Sequence, residues 1–347
     1  MKATYQKYIL DFKRPSGTSR GILTQKETWF IILENEGKRG VGECGILRTL
    51  SSDDRPDFEE KLKWVCQNIH IGPQELWKNL LEFPSIQCGV EIAFLSLESH
   101  HPFELFPSEF TSGKESMEIN GLVWMGEESY MKAQIEEKLK QGFRCVKLKI
   151  GAIDFEKELG LLQFIRQHFD EHSIEIRVDA NGAFHPKEAI EKLNQLATYN
   201  IHSIEQPIAK NQLESMVELC EKTPIPIVLD EELIGVFSIE NKRKLLERVK
   251  PHYIVLKPSL VGGFTGANEW INFADELQIG WWITSALESN IGLNAIAQWT
   301  FTLQNPMPQG LGTGGLYTNN IGCPLEIYNG RIQYNPSISW DTKAINF

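Results

Sequence analysis

The stretch FRCVKLKIG, residues 143–151, decides how the rest of the chain is read. Side chains alternate along a strand, so Lys147 and Lys149 share one face, while Val146, Leu148 and Ile150 share the other. Two ammonium groups on one face repel. On a wet edge strand the repulsion costs little; inside a closed sheet it has to serve a purpose. The surrounding sequence decides between the two.

From about residue 119 short apolar segments alternate with amphipathic ones. INGLVWMG (119–126) reads as a strand, and EESYMKAQIEEKLKQG (127–142) as a helix closed by Gly142. After RCVKLKIG come further strands: IEIRVDANG, HSIEQPI, IPIVLDEE, YIVLKPS and GWWITSALE. Helices are expected over 154–170, 186–199, 211–221, 238–248, 264–277 and 291–302, followed by the turn-rich QGLGTGGLY. Strands alternating with helices imply right-handed crossovers and a parallel sheet. Seven such strands, with QGLGTGGLY in the eighth place, predict an α/β barrel of the TIM, (β/α)8, type with room for irregular last units. An open doubly wound sheet is the alternative. On this reading Lys147 and Lys149 lie inside a sheet.

Residues 1–112 differ. TWFIILENEGKRGVGECG reads as a hairpin turning at Asn35, Glu36 and Gly37, while PDFEEKLKWVCQNI and GVEIAFLSLESHH read as helices. LEIYNGRIQY is a second hairpin, around Asn329-Gly330. The expected organisation is an α+β capping domain, 1–112, completed by the tail 325–347, and a barrel domain over 113–324.

The 347 residues are 41% hydrophobic and 23% charged, an ordinary globular composition. A net charge of −11 argues against nucleic-acid and anionic-membrane partners, which need basic faces. The opening MKATYQKYILDFKRPSG has no apolar core of signal-peptide length, and no run approaches the roughly 18 apolar residues of a membrane span. The six cysteines are scattered without a C-x-x-C pair, so reduced thiols and a cytoplasmic protein are expected. Nothing in the sequence sets an oligomeric state.

Polar residues recur near the strand C-terminal ends: Lys147 and Lys149, Asp179 and Asn181, Glu205, Asp230 and Glu231, then Lys257. From Lys149 the steps to Asp179, Glu205, Asp230 and Lys257 are 30, 26, 25 and 27 residues, each one strand-helix unit. In a barrel these ends meet in one pocket. Alone, a K-x-K is usually a solvated face and a D-x-N before a helix is usually an N-cap. Together, in one register, they make a site. Three carboxylates from successive strands suit a hard cation such as Mg²⁺, with Mn²⁺ possible, and the lack of His or Cys argues against zinc. Lysines flank the three carboxylates in chain order. A carboxylate substrate on the metal would lose the proton next to its carboxylate to a lysine. A neighbouring ammonium and partial burial would draw the Lys149 pKa towards working pH, which gives Lys147 its purpose.

VKLKIG, RVDANGAF, IEQP, VLDEE and LKPSLVGG together resemble the enolase superfamily over nearly the whole chain. The K-x-K and the Lys257 segment resemble its muconate-lactonizing-enzyme subgroup. Mandelate-racemase relatives use a histidine from a late strand, and the last histidine here is His252. The resemblance implies a modified (β/α)7β barrel with a capping domain, Mg²⁺ on Asp179, Glu205 and Asp230, Lys149 as acid/base, Lys147 as its helper and Lys257 on the opposite face. Glu232 departs from the family, which often has serine there.

Within the subgroup the resemblance implies a small dicarboxylate substrate and syn loss of water, with one lysine serving twice. Racemisation of an N-acylamino acid, dipeptide epimerisation and a non-catalytic metal- or metabolite-binding barrel are the alternatives. Dipeptide epimerases typically carry a D-x-D near the last strand for the substrate ammonium; here no Asp or Glu occurs from Ser289 to Leu325. Specificity is expected where the capping domain meets the barrel mouth, at Thr18–Leu23 and Ile46–Asp53. Substrate contacts are expected from Asn181, Glu231, Ser285, Glu288 and Arg20 or Arg48, and from the backbone N–H groups of Gly262 and Gly263. A surface arginine, a helix cap and a simple turn are the plainer readings of the arginines, Glu288 and the glycines.

Overall fold

The computed structural model describes residues 1–18 and 21–347. It opens with an antiparallel sheet of β1 (Lys2–Thr18), β2 (Gly21–Asn35) and β3 (Lys38–Cys44). The predicted hairpin is β2–β3: Asn35 faces Lys38, and Glu36 and Gly37 turn the chain at φ 51° and 79°. β1 was not foreseen. It buries little and carries Pro15 inside a bulge between Asp11 and Ser16, an edge strand lacking a clear period-2 pattern. Helices α1 (Phe58–Gln67), α2 (Pro73–Lys78) and α3 (Pro84–Glu98) follow.

α3 starts five residues before the predicted GVEIAF segment, because Pro84 opens the helix instead of ending a loop. It is buried almost all round and joins sheet to barrel. Its approach to β3 depends on glycine. A Cβ on Gly42 would stand 2.0 Å from the Gly89 carbonyl oxygen and 2.6 Å from the Ala93 nitrogen.

The barrel begins after the short β4 (Ser116–Glu118). Its units are β5 (Gly121–Val123) and α4 (Glu128–Lys140), β6 (Cys145–Lys149) and α5 (Phe155–His168), then β7 (Glu175–Asp179) and α6 (Pro186–Ala197). β8 (Ser203–Glu205) and α7 (Leu213–Lys222), then β9 (Ile227–Leu229) and α8 (Ile239–Val249), continue the alternation. β10 (Tyr253–Leu256) is followed by α9 (Pro258–Val261) and α10 (Gly263–Glu276), and β11 (Gly280–Ile283) by α11 (Asn290–Thr302). The seven strands run parallel in sequence order, which excludes a doubly wound sheet. Residues 309–310 close the ring: Gln309 bridges Ile119 and Gly310 bridges Thr284, both in parallel. This is the (β/α)7β barrel, its last strand reduced to two residues.

The alternation read in FRCVKLKIG holds around the ring. Val146, Leu148, Ile176, Val178, Ile204 and Ile254 face the helices and are fully buried. Inside, Val228, Val255 and Trp282 pack together, and the guanidinium of Arg177 lies 4.1 Å from the Trp282 ring. The lower barrel is therefore a packed plug, which leaves the upper end for chemistry. The hairpin of β12 (Leu325–Tyr328) and β13 (Arg331–Tyr334) turns at Asn329-Gly330 and pairs with β4. Beyond it Trp340, Ile345 and Phe347 pack on Phe30, Ile32 and Val41 of the first sheet. All six cysteines are free.

Gly42→Ala forces backbone against backbone at the β3–α3 contact. It is expected to lower unfolding free energy by about 3 kcal/mol or more in urea denaturation. A variant as stable as the parent would contradict the close approach.

Candidate active site

Register decides which side chains meet. In the parallel ladder Lys149 lies opposite Asp179, and Asp179 opposite Glu205. Asp230 follows β9 and Lys257 follows β10, so both also project from the C-terminal rim. Lys147 sits one layer down, opposite Arg177. Asp179, Glu205 and Asp230 are 1%, 0% and 2% exposed. Three lysines and three carboxylates are thus drawn out of water together.

They pair across the barrel. The Asp179 Oδ2 atom accepts from Lys149 Nζ at 3.0 Å and forms an ion pair with Lys147 Nζ at 3.1 Å. Lys147 also donates to Glu205 Oε2, and Lys257 to Asp230 Oδ2. Lys149 donates to Asn181 Oδ1 at 2.7 Å, and Asn181 passes the chain on to Glu231 Oε1 at 3.0 Å. Asn181 is left-handed, φ 44°, with its N–H bonded to Asp179 Oδ1. The D-x-N is therefore a turn that fixes the carboxylate and the amide together; no helix starts there.

Burial disfavours charge on Lys147, but Asp179, Glu205 and Asp230 outweigh it and raise its pKa above the ordinary lysine value. Lys257 behaves likewise: burial opposes its charge, and Asp230 and Glu231 outweigh the burial. Burial would raise Asp179, yet Lys147, Lys149 and Lys257 hold it well below the usual carboxylate range. Glu205 is pushed up by burial, with Asp179 and Asp230 adding to the push against Lys147.

The donor set fits a hard divalent cation. Asp179, Glu205 and Asp230 offer only oxygens, and Glu205 Oε1 is buried with no hydrogen-bond partner. Among the described residues no three acids already stand at ligand spacing, because ammonium groups sit on their oxygens.

Above them is a cleft of about 240 Å³ lined by Lys147, Lys149, Asp179, Asn181, Lys257 and Ser285. Both predicted loop segments reach it, through Gly21–Leu23 and Leu47–Leu50. Arg20 lies outside the described residues. Arg48 stands at the cleft edge, its guanidinium held by Glu27 and by Asp54 at 2.6 Å. Glu288 does not line the cleft. It is fully buried beneath Ser285, accepting from Ser285 and Ser259 hydroxyls at 2.6 Å each. Gly262 and Gly263 do not line it either. They start α10 against α3, where the Phe264 and Thr265 amides donate to Glu91 at 2.6 and 3.1 Å. The expected carboxylate at this helix N-terminus belongs to the protein itself. Glu232, the departure from the family pattern, turns outward: it accepts from Gln206 Nε2 and the Asn211 amide, each at 3.1 Å.

Sequence reasoning missed the apolar wall of Leu122 and Trp124, which Leu50 of the predicted loop completes, and the hydroxyl of Thr313, all lining the cleft. INGLVWMG was legible as a strand, and its even positions were the available signal. It also missed the joint beneath the cleft. Glu43, fully buried, accepts from Thr28 Oγ1 at 2.7 Å and from the Ser289 and Gly292 amides at 2.8 Å each, fastening the first sheet to α11.

Removing one member of a buried pair leaves the other charge stranded. Glu205→Leu is expected to cost about 3–5 kcal/mol in metal-free denaturation, and Lys147→Met added to it to recover part of that loss. Strictly additive costs would contradict the coupling.

Residues 130–336 match the family described as Enolase C-terminal domain-like. An o-succinylbenzoate synthase of Desulfotalea psychrophila (strain LSv54 / DSM 12343) is 44% identical over 361 residues, covering 95% of this chain and 98% of that protein. The crystal structure of MenC from Desulfotalea psychrophila LSv54 superposes with a TM-score of 0.85 at 41% identity, over 96% of this chain and 99% of that one. An L-Ala-D/L-Glu epimerase of Bacillus subtilis (strain 168) is more distant, 26% identical over 65% of this chain and 59% of its own. With the barrel, the paired lysines and the three strand-end carboxylates in place, these matches establish that the chain belongs to the enolase superfamily.

Proposed function

We propose that the chain is an o-succinylbenzoate synthase. It removes water from 2-succinyl-6-hydroxy-2,4-cyclohexadiene-1-carboxylate to give 2-succinylbenzoate, a step of menaquinone biosynthesis. The observation that carries the reading is the placement of Lys149 and Lys257 on separate strand ends across one cleft, in a chain nearly half identical to a full-length synthase. Asp179, Glu205 and Asp230 would hold Mg²⁺, or Mn²⁺ in its place. When bound, the ion supplies positive charge that stabilises the negative charge building on the substrate carboxylate.

The residues then have separate tasks. Lys149, as the free amine, takes the proton from C1. The same ammonium returns it to the hydroxyl leaving C6 on the same face, so the proton and the hydroxyl depart as water and the ring becomes aromatic. Lys257 keeps its proton, since Asp230 and Glu231 raise its pKa, and presents fixed positive charge from the other side. Lys147 stays charged among its carboxylates and holds Asp179 Oδ2, the atom that also positions Lys149. Leu50, Leu122 and Trp124 keep the cleft apolar around the ring.

The wall after the last strands favours a dicarboxylate over a dipeptide. Thr284, Ser285 and Thr313 line it, and no acid from Ser289 to Leu325 could hold a substrate ammonium. Two lysines on separate strand ends of one cleft are also the arrangement a racemase needs, so N-succinylamino acids are the second substrate class to assay. The six free cysteines suit a reducing, cytoplasmic setting, and no helix among the described residues is long and apolar enough to cross a membrane.

Purified protein with Mg²⁺ is expected to consume the cyclohexadiene absorbance. Lys149→Ala should slow turnover roughly a thousandfold or more, and EDTA should abolish it until Mg²⁺ is restored. Folded, Mg²⁺-supplied protein that leaves the diene untouched would sink the assignment. Mg²⁺ should also raise the melting temperature of the parent and leave that of Asp230→Asn nearly unchanged; equal shifts would remove Asp230 from the ligand set.

A further inference from the structure

Beside the catalytic cleft runs a larger groove, about 700 Å³, that the proposed reaction does not use. One wall is the bulged arm of β1, from Lys13 to Ser16; the others are α4 and the turns near Gly312 and Tyr328. The arm is docked. Phe12 bridges Tyr317 and Gly17 bridges Met125, and a Cβ on Gly17 would stand 2.5 Å from the Met125 carbonyl oxygen. The groove therefore has a fixed rim.

Its lining is basic in a chain of net charge −11. Lys13, Arg14, Lys138 and Lys140 face a single acid, Glu137. Among the described residues no ion pair engages any of the four cations; Glu137 accepts from Gln141 at 3.1 Å, and Lys138 Nζ reaches Gln141 Oε1 at 3.3 Å. Elsewhere surface cations find carboxylates, as Lys78 finds Glu75 and Arg248 finds Glu214, both at 2.7 Å. Burial pulls the Lys138 pKa down; Glu137 opposes the pull, and the charge of Arg14 adds to it. Four cations thus share the groove with one acid, an excess of positive charge that favours an arriving anion.

The groove is not purely ionic. Trp124, Tyr130 and Ile327 line it, and Tyr328 adds a ring that is 72% exposed. Cations and aromatic side chains lining one groove suit a flat ring bearing carboxylates better than a compact mineral anion. Asn120, Leu122, Trp124, Gly312 and Thr313 line both the groove and the catalytic cleft, so the two are one residue layer apart.

We propose that this groove is a second binding site for an aromatic dicarboxylate of the product's kind, with Arg14 and Lys138 on the carboxylates and Trp124 and Tyr328 against the ring. The identity of the ligand rests on the function proposed above. The site holds that anion one layer from the place where it is formed.

Isothermal titration of the Mg²⁺-loaded full chain with 2-succinylbenzoate tests this. The parent is expected to bind two equivalents per chain, and Arg14→Gln/Lys138→Gln one, with an unchanged melting temperature. Should that pair destabilise the fold, Arg14→Gln/Tyr328→Ala, both exposed, is expected to lose the same equivalent. Inorganic phosphate at equal concentration is expected to leave the second equivalent in place. One equivalent in parent and variants alike, two in all of them, or displacement by phosphate as effective as by the probe overturns the proposal. One equivalent in the parent that the variants lose supports the groove and contradicts the dicarboxylate reading of the catalytic cleft.

Discussion

Everything at the upper end of the barrel depends on one shared atom, Asp179 Oδ2, which holds Lys147 and Lys149 together at 3.1 and 3.0 Å. Two ammonium groups on one face of a buried strand would drive the sheet apart without it. The sheet tolerates them because the next strands supply Asp179 and Glu205 in register and the one after supplies Asp230. The cost of burying so many charges is large, and only mutual pairing offsets it. Such a lattice is poor evidence for stability and better evidence for chemistry, because a packed apolar plug would fill the space at lower cost. The lower barrel, with Trp282, Val228 and Val255 packed around the single guanidinium of Arg177, is closer to that plug.

The capping layer matters through how firmly it is fixed. α3 lies on β3 by glycine contact on one side and meets the start of α10 on the other, where Glu91 caps the helix. Glu43 ties the first sheet to the N-terminus of α11. Between these anchors the segments around Leu23 and Leu50 are set over the cleft. The same rigidity defines the neighbouring groove, whose rim is the docked arm of β1.

The barrel and its rim residues were legible because both rest on periodicity. Strand alternation placed Lys147 and Lys149 on one face, and the steps of 25 to 30 residues placed the other polar groups on successive strand ends. What was not legible rests on contacts distant in sequence. Nothing near Gly262 and Gly263 announces that Glu91 satisfies the adjoining amides. Ser285 is only three residues from Glu288, but nothing near them announces that Ser259, one strand-helix unit earlier, takes the other carboxylate oxygen beneath the cleft floor. The long β1 escaped because it is an edge strand that buries little beyond Leu10 and Ser16, with Pro15 in a bulge. The two-residue closing strand at Gln309–Gly310 is too short for any period, and only its place in the βα rhythm pointed to it.

The buried lysine–carboxylate lattice is the proposed metal site for acid/base chemistry. A crystal structure of the protein grown with Mg²⁺ and 2-succinylbenzoate tests it most directly. One metal ion is expected about 2.0–2.1 Å from oxygens of Asp179, Glu205 and Asp230, with Lys149 and Lys257 on opposite sides of the bound ring. A metal ion held by other residues, or a ring bound with both lysines on one side, would contradict it.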